Sequence, residues 1–595
     1  MASSTSTISD PRTRAFGEAL AAMRLPTVAR QAARARSSGE IVSLFLILAR
    51  IWPARSIGTE LNSTIQWHYE DMTFRFRRWI LGLSALILLI PAQAAAPASQ
   101  KTKLVVAIII DQFRYDYMTR FDASYQGGLR RLHDAGAFFT DAHQAHYPTV
   151  TAVGHAAFLT GSIPAIDGIV GNEWFDRETG KTVTSVSDEA TKLVGGNGGT
   201  GSSPQRLVGS TLGDELKIAG PADTTVIGIS LKDRAAILPS GHAANAAYWF
   251  EQESGQFVSS TYYMTDLPAW VRAFNKSDAA NRHAAAKWMP IDAGPGAQPF
   301  RILPPQLGKQ YYEEMIRTPY GNEMLEAFAE QALKEEHLGR HSATDVLTVS
   351  FSSNDLLGHQ VGPDAPEVRD MCIQTDRVLG QLLRAVEAEA GAGNYVVVLT
   401  SDHGVAPLPE ELTKRGMPAG RFSAAEVSRA IETALGEKYG PAKYVLGNAE
   451  LSPYLDHELL RVKHVALADA LETAAEAVRK LPYIFRVYAR TELEHENLAG
   501  DPIDLLMQRG FHRERSGDLF IVQKPYWIAY KDGTSHGTPF SYDTHVPVIF
   551  YGRGIRAGRY DENIRVADVA PTLAALLGVN EPSGSVGRVL PVIEK

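Results

Sequence analysis

Cysteine is almost absent from this 595-residue chain, in which Cys372 is the only one. A single cysteine excludes an intrachain disulfide and any thiolate metal cluster, and with them structural zinc fingers and iron–sulfur centres. The N-terminal segment also has no cysteine at which a lipid could be attached. Any metal site must therefore use histidine and carboxylate ligands.

An excess of positive charge is missing as well. Charged residues make up 21% of the chain, hydrophobic residues 45%, and the formal net charge is −8. These values exclude a wholly disordered chain, a coiled coil and a polytopic membrane protein. They also argue against a broadly basic nucleic-acid-binding surface, so we expect no nucleic acid partner.

Lysine is absent from residues 1–94, which carry eleven arginines and six acidic residues. Within them, Met72–Ala94 has the pattern of a secretory signal peptide: three arginines precede the apolar stretch Trp79–Ile90, and Ala92–Ala94 has the A-x-A form of a cleavage site. The sequence therefore predicts a periplasmic or secreted protein with no stable membrane association after cleavage. An uncleaved membrane anchor is the alternative.

Residues 1–71 precede this predicted signal peptide. We expect that Met72 is the true start and that 1–71 is a non-native, disordered extension. The alternative is an arginine-rich targeting arm with a second apolar run, Ile41–Trp52. The catalytic domain is predicted to span 95–592.

Apolar runs rich in β-branched residues recur along the rest of the chain, with helical patterns such as Arg369–Ala390 and Ala567–Leu577 between them. This alternation predicts an α/β fold with a mainly parallel sheet. The predicted strands are Leu104–Ile110, Thr225–Ile229, Val346–Phe351, Tyr395–Thr400 and Val546–Tyr551. Residues of about 240–340 and 410–530 break the pattern, and we expect them to be insertions that cap the carboxyl edge of the sheet.

Acids, histidines and bases follow these strands, at the edge where open α/β sheets bind ligands. Each group alone has an ordinary explanation as a turn, a helix start or a solvated charge, but together they predict one site. They are Asp111, Lys232 and Arg234, Asp355 and His359, Asp402 and His403, and His536 just before the last strand. Three aspartates and three histidines suit two zinc ions, which can clamp the attacking and leaving oxygens in a phosphoryl transfer.

A nucleophile for such a reaction is offered by the threonine-containing segment 147–155, which precedes the apolar run Ala156–Leu159. A threonine at a helix N-terminus faces free backbone N–H groups and the positive end of the helix dipole. Phosphate binds at such a position, and the pKa of a hydroxyl falls there. The alternative interpretation is an ordinary helix-capping threonine.

The set of motifs resembles the alkaline phosphatase superfamily, and most of all its phosphate-irrepressible branch with a threonine nucleophile. The related type I phosphodiesterase/nucleotide pyrophosphatase branch shares much of the pattern. The resemblance covers roughly 103–592 and implies a three-layer α/β/α sandwich with a mainly parallel central sheet. It rests on Ile110–Gln112, Pro148–Gly168, Gly171–Asn172, SLKDRA at 230–235, SSNDLLGH at 352–359, SDHG at 401–404 and the stretch 536–552.

Roles for individual residues follow from this resemblance. Thr151 matches the nucleophile, with Thr149 as a rival, and His545 competes with His536 for the last zinc position. Asn172, Lys232 and Arg234 match the contacts to the non-bridging phosphoryl oxygens. The two implied zinc sites consist of Asp111, Asp402 and His403 together with Thr151, and of Asp355, His359 and His536.

The resemblance thus implies a secreted, zinc-dependent alkaline phosphatase that hydrolyses small-molecule phosphate monoesters through a phosphothreonine. The pair Lys232 and Arg234 favours monoesters, because all three non-bridging oxygens of a monoester dianion need positive charge or donors. A phosphodiesterase or nucleotide pyrophosphatase on the same fold is the alternative, and an inactive phosphate- or metal-binding protein a remote one. A sulfatase is disfavoured because Cys372 lies outside a C-x-P-x-R context. A monomer is favoured.

Overall fold

Residues 101–221, 223–495 and 500–594 are described by the computed structural model of the chain. They lie in one unit, Ser99–Lys595. The predicted signal peptide, its cleavage site and the extension 1–71 lie outside the described residues. Within the described ranges, no helix is long and apolar enough to cross a membrane.

A sheet of eleven strands forms the centre of the described structure. In chain order these strands are β1 (Leu104–Ile110), β2 (Ala137–His143), β3 (Ser187–Val194), β4 (Thr200–Ser202), β5 (Val226–Ser230), β6 (Ala246–Glu251), β7 (Gln256–Ser260), β8 (Asp345–Phe351), β9 (Tyr395–Thr400), β10 (Val548–Gly552) and β11 (Gly558–Arg565). Their order across the sheet is β11-β2-β10-β9-β1-β8-β5-β6-β7-β3-β4.

The five central strands, β9-β1-β8-β5-β6, are parallel, which confirms the predicted α/β fold with a mainly parallel centre. The last predicted strand is present as β10, but it runs antiparallel to β9. Its direction follows from the chain path, because β10 comes directly after the loop at the edge where the parallel strands end. Smaller antiparallel pairings extend the sheet from β6 through β7 to β4.

Strand β1, with the sequence LVVAIII, is buried along its whole length because helices cover both faces of the sheet. Its side chains alternate between two cores: Val106 and Ile108 belong to one, Val105 and Ile109 to the other. The principal helices are α1 (Gly128–Ala135), α2 (Thr151–Thr160), α3 (Leu212–Ala219), α4 (Asp233–Ile237), α5 (Pro319–Glu335), α6 (Ser353–Val361), α7 (Pro366–Ala390), α8 (Ala424–Tyr439), α9 (Leu467–Arg479), α10 (Pro502–Gly510) and α11 (Val569–Leu577).

The two cores make the fold a three-layer α/β/α sandwich. Helices α1, α5 and α7 contribute to the first core, and α2, α3 and α11 to the second. Part of the segment 240–340 belongs to this architecture, since it supplies β6, β7 and α5.

A separate apolar cluster holds much of 410–530 together. It combines α8 and α9 with two antiparallel strand pairs. One pair is Ile484–Ala489 with Leu519–Gln523, and the other is the hairpin Val445–Ala449 with Ser452–Leu455. We call this part the cap.

Candidate active site

Parallel strands bring the predicted polar residues to one edge of the sheet. Asp111 follows β1 directly, Asp402 and His403 follow β9, and α6 after β8 carries Asp355 and His359. The loop between β5 and α4 supplies Lys232, and α4 supplies Arg234. Neighbouring parallel strands end at the same edge, so these side chains converge although they are far apart in sequence.

Asp111, Asp402 and His403 form a first group whose ligand atoms all lie within 4.8 Å of one another. The Nε2 atom of His403 is 3.6 Å from Asp111 Oδ1 and 3.4 Å from Asp402 Oδ2. All three side chains are fully buried. Among the described residues Asp111 Oδ1 has no hydrogen-bond partner, which is costly for a buried carboxylate oxygen unless a cation binds it. Two carboxylates and one imidazole fit a divalent metal such as zinc.

Asp355, His359 and His536 form a second group. The distance to Asp355 Oδ1 is 3.1 Å from His359 Nε2 and 3.7 Å from His536 Nε2. Both imidazoles are oriented by a hydrogen bond from Nδ1 to a backbone carbonyl oxygen. His359 Nδ1 donates to the carbonyl of Thr534 and His536 Nδ1 to that of Thr149, each at 2.8 Å. The first group repeats the pattern, with His403 Nδ1 donating to Gly404 at 2.9 Å. A backbone acceptor on Nδ1 leaves Nε2 free as a ligand atom, which is typical of metal-binding histidines.

The ammonium group of Lys232 lies between the two groups. Its Nζ atom is 2.6 Å from Asp111 Oδ2, 2.7 Å from Asp355 Oδ2 and 3.4 Å from Thr151 Oγ1. Burial lowers the pKa of Lys232, but the two carboxylates outweigh burial and hold the pKa above its ordinary value. Lys232 therefore stays charged within reach of the Thr151 hydroxyl.

Burial and charge shift the pKa values of the carboxylates in opposite directions. Burial, together with Asp355 and Asp402, raises the pKa of Asp111 well above its ordinary value. Burial acts on Asp355 in the same sense, but His359 and Lys232 hold its pKa well below the ordinary value. Burial is also the main reason that the pKa of His536 is lowered, with His403 adding to the effect. Three aspartates in one dry site thus call for more positive charge than Lys232 alone supplies.

Thr151 is the first residue of α2, and the helix cap is Val150, which makes no side-chain capping bond. The alternative of an ordinary capping threonine therefore does not describe Thr151. Its Oγ1 atom is 3.5 Å from His403 Nε2, next to the first group. The hydroxyl of Thr149, in contrast, donates to the carbonyl of Thr538 at 2.8 Å.

Asn172 and Arg234, the other two predicted contacts to the phosphoryl oxygens, both come after Thr151 in the sequence. The Asn172 side-chain oxygen accepts the backbone N–H of Ala152 at 2.9 Å, at the start of α2. Arg234 is partly exposed, and its Nε atom has no hydrogen-bond partner within the described structure. Its charge acts to lower the pKa of Lys232, which lies two positions before it in the chain.

Comparison with known proteins places this chain in a family. The model of the type I phosphodiesterase/nucleotide pyrophosphatase family matches residues 105–546. The chain belongs to this family. Within it, the chain is similar to alkaline phosphatase PafA of Elizabethkingia meningoseptica, with 34% identity over 543 residues that cover 87% of this chain and 98% of the relative. Alkaline phosphatase PhoV of Synechococcus elongatus is 35% identical over 514 residues, covering 82% and 92%.

The fold agrees with a solved member of the family. The crystal structure of wild-type PafA superposes with a TM-score of 0.75 at 32% identity, covering 83% of this chain and 99% of that one. These comparisons confirm the resemblance to the threonine-nucleophile alkaline phosphatases and the predicted sandwich. They also confirm the predicted enzyme class, a phosphoric monoester hydrolase of the alkaline phosphatase type.

His545, the alternative to His536 as the last zinc ligand, lies outside both groups of candidate ligands in this protein. It belongs to a third group with Asp141 and His143, and the rings of His143 and His545 stack at 4.6 Å. Its Nε2 atom is hydrogen-bonded to the carbonyl of Thr140 at 3.0 Å. The geometry therefore places His536, and not His545, beside Asp355 and His359.

Sequence reasoning missed Gln112, which contacts both groups. Its backbone N–H donates to Asp402 Oδ1 at 3.2 Å, and its side-chain Nε2 donates to Asp355 Oδ1 at 2.6 Å. Gln112 adopts a φ of 61°, which is uncommon for a residue other than glycine. The available signal was its position directly after Asp111, but only the fold shows that Asp355 and Asp402 flank it.

His155 was missed as a supporting residue as well. It follows Thr151 by one helical turn, and its Nδ1 donates to the Thr151 carbonyl at 2.8 Å. Its Nε2 atom lies 2.8 Å from Ser350 Oγ on β8. His155 thus ties the N-terminal turn of α2 to the sheet.

Proposed function

We propose that this protein is a zinc-dependent alkaline phosphatase that hydrolyses small-molecule phosphate monoesters through a phosphothreonine at Thr151. The observation that carries the proposal is the position of the Thr151 hydroxyl. It lies at the N-terminus of α2, 3.4 Å from the Lys232 ammonium and 3.5 Å from His403 Nε2. A hydroxyl so placed, at the positive end of a helix dipole and beside the Lys232 ammonium, is a candidate nucleophile.

The two residue groups would hold the metal. Asp111, Asp402 and His403, with Thr151, would bind one zinc ion, and Asp355, His359 and His536 would bind the second. Two zinc ions supply positive charge that lowers the pKa of a hydroxyl and stabilises the charge on attacking and leaving oxygens.

The chain's own side chains bind and orient the phosphoryl group. Thr151 Oγ, with its hydroxyl proton released to solvent, attacks phosphorus in line with the departing ester oxygen. The Oγ–P bond forms as the ester P–O bond breaks, and the departing oxygen takes up a proton from water. Lys232, Arg234 and the Asn172 amide bind the three non-bridging oxygens. Water then hydrolyses the phosphothreonine with the same in-line geometry, so that Thr151 is restored and the configuration at phosphorus is retained overall.

Specificity for monoesters rests on the same three side chains. A monoester has three charged or partly charged oxygens, whereas a diester presents an organic group at one of them.

A variant of PafA with a solved structure is substituted at one threonine, one asparagine, one lysine and one arginine. In that chain the threonine and asparagine are 21 residues apart and the lysine and arginine two apart, which are the separations of Thr151 and Asn172 and of Lys232 and Arg234 here.

Rates on matched substrates test the proposal. The purified protein, loaded with zinc, would be assayed at alkaline pH on p-nitrophenyl phosphate and bis-p-nitrophenyl phosphate, with Thr151→Ala as the inactive control. A monoester preference of several orders of magnitude in kcat/KM supports the phosphatase. A diester preference would instead make it a phosphodiesterase, the activity in the name of the matched family. No turnover of either substrate with zinc bound would point to a binding protein.

Export is the second part of the proposal. We infer a periplasmic or secreted location from the predicted signal peptide at 72–94. Fractionation and N-terminal sequencing test it, and a mature N-terminus near Ala95 is the expected result. Peptides from Ser3–Arg50 in the mature protein would contradict both the signal peptide and the start at Met72.

A further inference from the structure

A cavity of about 270 Å³ opens next to His536, between the cap and the candidate active site. Aromatic side chains line much of it, namely Tyr147, Trp527, Tyr530 and Tyr542. The reaction places the leaving oxygen on the side of phosphorus away from Thr151. Thr151 lies beside the first group and His536 belongs to the second, so the cavity lies where the organic part of a monoester would extend.

The charge of the cavity is negative. Glu173 and Glu450 line it, and no lysine or arginine is among its lining residues in the described structure. Burial raises the pKa of Glu450 to about 7, so its side chain is a carboxylate at alkaline pH. The side-chain oxygen of Gln523, a lining residue that is only 7% exposed, has no hydrogen-bond partner in the part of the chain that the structure describes. The cavity thus offers acceptors and aromatic faces, and repels anions.

An unusual turn holds Glu450 in place. Glu450 and Leu451 form the two-residue loop of the cap hairpin, with φ values of 50° and 57°. Such a turn favours Asn-Gly, and each larger residue costs roughly 1–2 kcal/mol there. The backbone of Asn172 acts to lower the pKa of Glu450, and the side chain of Glu450 packs where Gly171 has none, since a Cβ at Gly171 would lie 3.1 Å from Glu450 Cγ. A strained residue held against a phosphoryl-binding residue indicates a functional constraint.

We propose that this cavity binds the leaving group of the monoester and selects groups that carry hydrogen-bond donors and no negative charge. Hydroxylated neutral groups and ammonium-bearing groups share this chemistry, because both donate to carboxylates and pack on aromatic rings. Leaving groups with a carboxylate or a further phosphate are repelled by Glu173 and Glu450. The inference rests on the proposed phosphatase function and specifies its substrate class.

Four small substrates separate the possibilities. Methyl phosphate is too short to fill the cavity and serves as the reference. Glycerol 3-phosphate carries neutral donors, phosphoethanolamine a cationic donor and 3-phosphoglycerate a carboxylate. Each kcat/KM is divided by that of methyl phosphate. The resulting value for glycerol 3-phosphate, for phosphoethanolamine or for both should exceed the value for 3-phosphoglycerate by roughly tenfold or more. Comparison of glycerol 3-phosphate with phosphoethanolamine shows whether neutral or cationic groups are preferred.

Substitutions in the cavity test the cause of this preference. Glu450→Asn removes the charge and suits the turn, and Glu173→Gln removes the second charge without changing the shape. Each should shift the ratio of 3-phosphoglycerate to glycerol 3-phosphate turnover about fivefold toward the anion, and together they should shift it further. Glu437→Gln, an exposed position on α8, is the matched control and should leave the ratio unchanged.

The outcomes distinguish the two levels of the proposal. If methyl phosphate and the other monoesters all fail to react, the proposed function and the substrate class are both wrong. If they react but the wild type accepts the carboxylate substrate equally well, or the cavity variants leave the ratio unchanged, only the substrate class is wrong. Thermal unfolding of Glu450→Asn shows that the variant is folded, and relief of the turn should raise its melting temperature.

Discussion

The side-chain amide nitrogen of Gln112 lies 2.6 Å from Asp355 Oδ1. Because the backbone N–H of the same residue donates to Asp402, Gln112 orients one carboxylate from each of the two candidate metal groups. Removing a residue that orients metal ligands typically lowers metal affinity or activity by about 10- to 100-fold.

Gln112→Ala should therefore lower zinc affinity and kcat/KM by about 10- to 100-fold, while the backbone contact to Asp402 persists. Competition with a chelator measures the affinity independently of turnover. Gly358→Ala should have a similar effect, since a Cβ there would lie 2.0 Å from the Gln112 side-chain oxygen. Gln331→Ala on α5 is the control, and unchanged zinc affinity in Gln112→Ala would refute a positioning role.

Thr151 and Thr149 should respond differently to substitution. Thr151→Ala should lower kcat on p-nitrophenyl phosphate by at least about 10³-fold, whereas Thr151→Ser should keep part of the activity because it keeps a hydroxyl. Thr149→Val loses one buried hydrogen bond to Thr538 and should cost about 1 kcal/mol of stability. Acid quench followed by peptide mass spectrometry locates the phosphoryl group, and a phosphate on Thr149 would reverse the assignment.

Lys232→Ala and Arg234→Ala should depress monoester hydrolysis far more than diester hydrolysis. In the proposed mechanism their charges bind the non-bridging oxygens, of which a diester has one fewer to be neutralised. Each loss on p-nitrophenyl phosphate should be about 10²-fold or larger, in the range measured when one charge-stabilising donor is removed from other active sites. The ratio of kcat/KM values on the two p-nitrophenyl substrates is the measurement, with exposed Lys181→Ala as control. Equal losses on both substrates would count against this role.

His536→Ala and His545→Ala should be separated by their zinc content. His536→Ala removes one of three ligand atoms from the second group, so the bound zinc should fall from two ions to about one per chain. His545→Ala loses ring stacking on Tyr115 and His143, so it should affect stability but retain both ions. Elemental analysis of the purified variants decides, and loss of zinc in His545→Ala alone would favour the rival assignment.

Glu326 should make stability depend on pH at a distance from the site. Its side chain on α5 is buried, and one carboxyl oxygen has no hydrogen-bond partner among residues 101–221, 223–495 and 500–594. Burial, with Glu330, raises the pKa of Glu326 to about 7. A carboxyl pKa that is raised in the folded state stabilises the protein at low pH, and this contribution is lost as pH rises through about 7.

Glu326→Gln should consequently be more stable than the wild type at pH 8.5, by on the order of 3 kcal/mol at most, and show little gain at pH 5. Denaturant unfolding at the two pH values measures the difference. Glu335→Gln, exposed at the end of the same helix, should show no such pH dependence. If the gain in stability were equal at pH 5 and pH 8.5, Glu326 would have the same charge at both pH values, and the predicted titration near pH 7 would be wrong.

Local patterns were enough for much of the architecture and for the identity of the polar residues. The run LVVAIII predicted a fully buried strand because side chains on both faces of a parallel sheet are covered, and β1 has the predicted bounds, Leu104–Ile110. Asp402 and His403 stood out because two polar residues directly after such a strand reach the ligand-binding edge. The antiparallel direction of β10 could not be read in the same way, since an apolar run carries no information on strand direction.

The residues available for the chemistry can be read from the sequence alone: three aspartates, three histidines, a threonine before an apolar helix, and a lysine and an arginine two positions apart. These follow from residue types and from short spacings along one strand or helix. Only the tertiary structure decided that His536 and not His545 stands beside Asp355, that Gln112 contacts both groups, and that Glu450 faces the cavity. Contacts between residues hundreds of positions apart depend on strand order and loop path, and no local pattern of charge or hydrophobicity encodes them.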